Sequence, residues 1–263
     1  MKINSAIIIP LLRKKILFAL LILSYLLSSY YYFGKWWNSS VGSVLILFFS
    51  YLIWKKDFLK HIGLQLDFKT VIKSILLAGL ITICAFLIMK YIIGRHDIQI
   101  RFTSWRDYYH DIFYILNEEI VLGAILLFYL INKGKIRPVT ASIGLAVFFA
   151  LIHFVFYRWI FDNRGLIGIS TMTSLFLVGF VRNSLIFQTG HIGYSWALHF
   201  GWMAVMFGSI HVDMDTGTNL TELRRFNLYL GSGEMLVIST IVAGLSILYW
   251  IKKYRSEKEE QAG

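Results

Sequence analysis

The sequence is short of charge, proline and cysteine, and each shortage excludes something. Of its 263 residues only 16% are charged, against roughly 25% in a soluble domain, so much of a globular protein's water-facing surface is missing. Proline occurs twice and no Gly/Ser-rich linker interrupts the chain. Nothing therefore marks a boundary between domains, and 1–263 reads as a single multi-pass membrane domain. The lone Cys84 lies in an apolar run; it rules out an intramolecular disulfide and says nothing about redox compartment. No internal repeat is visible.

What is present is hydrophobic sequence, 57% of the chain, with a mean hydropathy of +0.63. A membrane-spanning helix needs about 20 mostly apolar residues to cross about 30 Å of hydrocarbon. Candidate spans fall near 16–33, 38–54, 71–93, 108–132, 139–161, 166–187, 191–210 and 228–251. Each is expected to be helical, because an open strand leaves backbone groups unpaired in lipid. Gly190 is placed to end the sixth span. The expected fold is all-α, a polytopic membrane helical bundle of about eight transmembrane helices, with a frayed polar tail at 252–263.

The net charge of +11 would suit nucleic acid if the cations formed one phosphate-binding surface. They sit instead in short clusters between apolar runs, as in loops facing an anionic leaflet, so no nucleic-acid partner is expected. Arg13, Lys14 and Lys15 precede the first run, and Lys252, Lys253, Arg255 and Lys258 follow the last. Loops on the same side hold Lys55, Lys56, Lys60, Lys69, Lys133, Lys135 and Arg137, and the opposite loops hold fewer basic residues per segment. The positive-inside rule places both termini in the cytoplasm of a cell-membrane protein. The first run is too long for a signal-peptide core and no small-residue cleavage site follows it. Tyr30, Tyr31, Tyr32, Trp36 and Trp37 form an aromatic band suited to a membrane interface.

Ionisable groups deep in hydrocarbon cost at least ~2.5 kcal/mol each, so every one in a span is a functional candidate. The fourth span holds Asn117, Glu118 and Glu119 together, the fifth holds Phe149 and His153, and the seventh holds His199. At 1.5 Å per helical residue, Glu118, His153 and His199 lie about 15, 12 and 16 Å from the outer ends of their spans, in one membrane layer. A carboxylate and two imidazoles at one depth suit water activation by a general base and stabilisation of an oxyanion. The same side chains could ligate a metal or relay protons. No His-Glu-x-x-His spacing is present, so the usual zinc-protease helix is absent. No inverted repeat or broken helix favours a transporter. His191 reads as a loop residue at a span boundary and Glu234 as interfacial. Asn38-Ser-Ser and Asn219-Leu-Thr are weak glycosylation sequons.

In their order along the chain these residues resemble the CAAX-protease and bacteriocin-processing (CPBP, or Abi) family of glutamic intramembrane proteases. That family carries Glu-Glu-x-x-x-Arg, then Phe-x-x-x-His, then a late His-x-x-x-Asn. Glu118-Glu119, Phe149…His153 and His199 match in that order. The resemblance covers about residues 105–250, and 1–70 supplies additional N-terminal helices. It implies catalytic roles for Glu118, His153, His199 and Glu119. Glu118 and His153 would activate water and His199 would hold the oxyanion. Two positions depart: the family arginine is Gly123 here and the family asparagine is Met203. Ser195, four residues before His199, could donate in place of the asparagine, and Arg182 or Asn183 on the neighbouring span could compensate. The implied function is an intramembrane endopeptidase that needs no cofactor, acting on a membrane-anchored or exported protein or peptide, although the Glu and His set leaves a metal open. The two departures motivate a different class, a non-catalytic membrane scaffold that binds partner proteins.

Overall fold

A computed structural model describes residues 5–29, 36–65, 67–93, 100–101, 104–156, 166–205, 211–212 and 233–262. Asn219, Arg164, Arg224, Arg225 and the Tyr30–Tyr32 part of the aromatic band lie outside them. The chain is an all-α membrane protein. Its helices are α1 (Ser5–Ser29), α2 (Asn38–Trp54), the single turn α3 (Phe58–His61), α4 (Phe68–Ile93), α5 (Trp105–Glu118), α6 (Leu126–Asn132), α7 (Pro138–Phe156), α8 (Leu166–Thr189), α9 (Gly193–Met203) and α10 (Gly233–Ala262). Between α5 and α6 the chain continues without a break as a π-helix, Glu119–Ile125. Two-residue strands, Ile100–Arg101 and His211–Val212, pair with each other.

Four segments among the described residues are long and apolar enough to cross a membrane: Phe68–Ile88, Tyr108–Asn132, Gly168–Thr189 and Gly233–Glu260. Within the described residues the other expected spans are also largely helical. However, α1 carries three cations, α2 and α7 are shorter, and the stretch expected to continue α9 lies outside the described residues. Helix ends follow local chemistry. Asp67 accepts from the backbone N–H of Lys69 (3.2 Å) and Thr70 (3.3 Å) ahead of α4, and the Thr70 hydroxyl bond holds its carboxyl below the ordinary value. Ser104 caps α5 by accepting from Arg106 N–H at 3.3 Å. Pro138 opens α7, where a missing N–H costs nothing. Gly190 ends α8 as expected, with φ of +66°, a conformation that favours glycine at a helix C-terminus. The tail differs from the sequence reading: 252–262 continues α10 as helix. Lys, Arg, Glu, Gln and Ala are all good helix formers, and Lys253 pairs with Glu257 one turn on, at 3.8 Å.

The residues group into two compact units. The first, within 1–85, 101–125 and 190–211, contains α1, α2, α5, the π-helix, α9 and most of α4. Here α1 packs along α2, and both meet α5. A Cβ on Gly42 would collide with the Ser28 Cβ and come within 3.3 Å of Asn117 Nδ2, so only glycine allows this approach. Asn117 has no exposed surface. It donates to Ser28 Oγ (3.1 Å) and the Ser39 carbonyl (2.9 Å), and it accepts from Ser43 Oγ (2.6 Å). Several other hydroxyls bond to their own helix, as Ser24 does to Leu20 O and Ser74 to Thr70 O, a solution that lipid favours.

The second unit, within 86–100, 126–189 and 212–263, packs α7 against α8 and α8 against α10. Ala146, Ala150 and Gly179 bring α7 and α8 together, and Leu175 and Phe149 fill the contact. Small residues at a helix crossing are the usual means of packing in a membrane, where burial against lipid gives no drive.

Candidate active site

The fourth span changes winding where its carboxylates begin. Glu118 is the last residue of α5 and Glu119 the first of the π-helix. Successive residues of an α-helix point about 100° apart, so two adjacent carboxylates ordinarily serve different faces. Across this widened turn both face one imidazole. His199 Nδ1 lies 3.0 Å from Glu119 Oε1 and 3.8 Å from Glu118 Oε1. Both glutamates are buried, while 14% of the His199 side chain is exposed. π-Turns occur often at functional sites, and this one makes the cluster possible.

Each member is held by its surroundings. Glu118 accepts from the Tyr114 hydroxyl, one turn back, at 3.2 Å. Asn117 ties this point of the helix to α1 and α2 by its three bonds. On α9, the Trp196 indole N–H donates to the Ile112 carbonyl of α5 at 3.2 Å, and its ring stacks on Phe200 at 5.0 Å. That bond fixes the register of α9 on α5 and, three residues later, the position of His199. The start of α9 is fastened too. Ile192 N–H donates to Gly63 O at 2.8 Å, and His191 Nδ1 accepts from Gly193 N–H at 2.7 Å. Tyr114 and Trp196 are not marked as site residues by the sequence, and Asn117 is marked only as the polar neighbour of the two glutamates. Tyr114 was findable from its i, i−4 relation to Glu118. The other two act through contacts between distant segments.

His153 lies in the second unit, on α7. A carbonyl can only accept, so its Nδ1–H donates to Phe149 O, 2.8 Å away; in the neutral ring the basic nitrogen is then Nε2. The Phe149 ring packs against the imidazole with centroids 4.4 Å apart. A charge also packs against this ring: the Arg182 guanidinium lies 4.3 Å from the centre of Phe149. The Phe-x-x-x-His spacing thus has a local reason, since one turn of helix sets both the tautomer and the packing of the histidine.

The residues considered as replacements fare differently. Ser195 is buried and donates to Ile192 O at 2.9 Å, so its proton goes to its own helix. Arg182 is buried and reaches Asn183 Oδ1 at 3.4 Å from both Nε and Nη2. Asn183 donates in turn to Ser142 O at 3.0 Å. Gly123 is buried within the π-helix. Glu119, which lacks an arginine at that position, has His199 as a partner instead.

Ligand atoms of Glu118, Glu119 and His199 all lie within 4.8 Å of one another. Two carboxylates and an imidazole are a donor set that a zinc ion accepts with a position left open. The same three groups also form an ionisable cluster in which His199 Nδ1 is hydrogen-bonded to Glu119 at 3.0 Å, with Glu118 beside it at 3.8 Å.

Residues 112–205 match the family of Rce1-like proteins, described as type II CAAX prenyl endopeptidases. The matched stretch is over a third of the chain, narrower than the 105–250 resemblance, and contains Glu118, Glu119, His153, Arg182 and His199. This agrees with the resemblance drawn from the motifs. No curated protein and no solved structure matches the chain.

Proposed function

We propose that this chain is a glutamic intramembrane endopeptidase acting on a membrane-anchored or exported protein or peptide. The observation that carries the reading is the buried Glu118–Glu119–His199 cluster inside the segment that matches a protease family. Three polar groups gathered at a cost inside a membrane protein need a compensating use, and hydrolysis at a membrane anchor is one that suits them.

In this mechanism Glu118, oriented by Tyr114, takes a proton from a water molecule as its oxygen attacks the scissile carbonyl carbon. The family resemblance assigns His153, with Nε2 as its basic nitrogen, to assist in activating the water. The carbonyl oxygen becomes an oxyanion and accepts from His199 Nε2–H. Since His199 Nδ1 faces Glu119, the pair must then hold two protons. They are shared as imidazolium and carboxylate, or as imidazole and carboxylic acid. Glu119 is therefore a positioning residue that keeps Nε2 aimed outward. Collapse of the intermediate breaks the C–N bond, and Glu118 returns its proton to the leaving amine. Both termini are assigned to the cytoplasm from loop charge.

The test uses full-length protein in nanodiscs with a panel of membrane-anchored substrates that includes a prenylated CAAX peptide. Glu118→Gln should reduce cleavage about 10²–10⁴-fold, and His199→Ala about 10²–10³-fold, with the fold retained. Cleavage that survives Glu118→Gln contradicts the mechanism. Loss on chelation, restored by added zinc, would convert the cluster into a metal site.

A further inference from the structure

The second unit carries a groove that the proposed chemistry does not use. Its volume is about 550 Å³, and it runs between α10, the start of α7 and the middle of α8. On α10 the lining residues include Ala243, Ile247, Trp250, Tyr254, Arg255 and Lys258. These recur at helical spacing and so form one stripe. The stripe changes character along its length. From Ala243 to Tyr254 it is apolar and aromatic, and at 1.5 Å per residue this stretch is about 16 Å long. One leaflet's hydrocarbon is about 15 Å, half of the core thickness. Beyond it come two exposed cations, Arg255 and Lys258. Among the described residues neither is paired with a carboxylate, and no carboxylate lines the groove. The neighbouring Lys253 differs, because it lies 4.2 Å from the Phe187 ring centre and 3.8 Å from Glu257. Val139, which also lines the groove, follows closely on Lys135 and Arg137. The apolar floor is rigid: the Trp250 indole donates to Ser184 Oγ at 3.0 Å and stacks on Phe187.

We infer that this groove binds one anionic phospholipid, with an acyl chain along Ala243–Trp250 and the phosphate at Arg255 and Lys258. A slot one leaflet deep, apolar inside and doubly cationic at its mouth, fits that molecule on length and on charge. Basic pockets between transmembrane helices hold acidic head groups for the same electrostatic reason. A peptide would leave its backbone polar groups unmatched along an apolar wall. A zwitterionic lipid fits the slot but gains much less from the two cations.

The test is native mass spectrometry of the full chain with phosphatidylglycerol or phosphatidylcholine of identical acyl chains. The wild type should retain phosphatidylglycerol preferentially. Arg255→Gln/Lys258→Gln should weaken that retention about 30-fold, at roughly fivefold per cation. Ile247→Trp, at a half-exposed position, should fill the slot and lose the lipid with both charges intact. Equal retention of the two lipids by the wild type overturns the inference. So does phosphatidylglycerol binding that survives Ile247→Trp, or displacement by equimolar inorganic phosphate, since either reduces the site to surface charge. None of these readouts depends on peptidase activity.

Discussion

Asn117 uses its amide fully: two donations and one acceptance join three helices at a point with no access to water. Replacement by leucine of similar size leaves the Ser39 carbonyl and the Ser43 hydroxyl without this partner. The expected loss is about 1–3 kcal/mol of stability, read as a lower thermal midpoint in nanodiscs. Cleavage should fall with it, because the next residue is Glu118. Ser43→Ala removes one of the three bonds and should cost less. A second residue-scale prediction concerns His191, which lies outside the spanning segments. Its Nδ1 accepts from Gly193 N–H and its Nε2–H donates to Gln65 O at 2.9 Å, so the fastening requires the neutral ring. Burial pushes its pKa below the ordinary 6.5, against weaker opposing contributions from the Gln65 carbonyl and Asp67. The unfolded chain then binds the proton more readily than the folded one. Stability from this group is full above pH 6.5 and falls as the pH drops below it toward the folded value. Thermal midpoints measured from pH 8 to 5 should decline through that window in the wild type. In His191→Gln that part of the decline should be absent.

At the scale of elements, the approach of α1 to α2 decides where α5 stands, because Asn117 reaches both. Gly42→Ala places a methyl group on Ser28 and beside the Asn117 amide. Overpacking of this kind costs about 1–3 kcal/mol, and the lowered midpoint should be accompanied by weaker cleavage. The same substitution at Gly144, whose Cβ would meet nothing within 4 Å, should be close to neutral. Most of the long helices are legible in the sequence, since apolar run length marks them directly, and four of them are long and apolar enough to span. Gly190 as a terminator was legible because its backbone conformation is restricted chemically. The polarity of 252–262 suggests a frayed tail, but its helix-forming Lys, Arg, Glu, Gln and Ala continue α10 instead. The π-helix was not legible at all. It depends on how α5 must wind to bring two carboxylates to α9, and within Glu119–Ile125 a single glycine, Gly123, is too common a feature of membrane helices to announce it. For the same reason the sequence could align Glu118 with His199 by depth but could not show that Glu119 is the nearer partner.

At the scale of the whole molecule, the buried carboxylates and the buried arginine among the described residues lie on two spans, Tyr108–Asn132 and Gly168–Thr189. Exposed Ile75, Leu76, Leu80, Ile83 and Leu87 cover one side of α4, and no charged residue interrupts that run. In the first unit Ser28, Ser39 and Ser43 bond to Asn117, and Tyr114 bonds to Glu118, beside the glutamate cluster. The N-terminal helices, which carry none of the family motifs, therefore support the proposed site structurally, through the bonds of Ser28, Ser39 and Ser43 to Asn117. The most direct measurement of the central claim is site-specific cleavage of a membrane-anchored substrate by the purified full chain, wild type beside Glu118→Gln, each with and without chelator. Cleavage by the wild type, undiminished by chelator and abolished in Glu118→Gln, is the predicted result. Equal cleavage by both proteins, or none by a folded wild type across the substrate panel, would contradict the assignment of Glu118 as the base of an intramembrane peptidase.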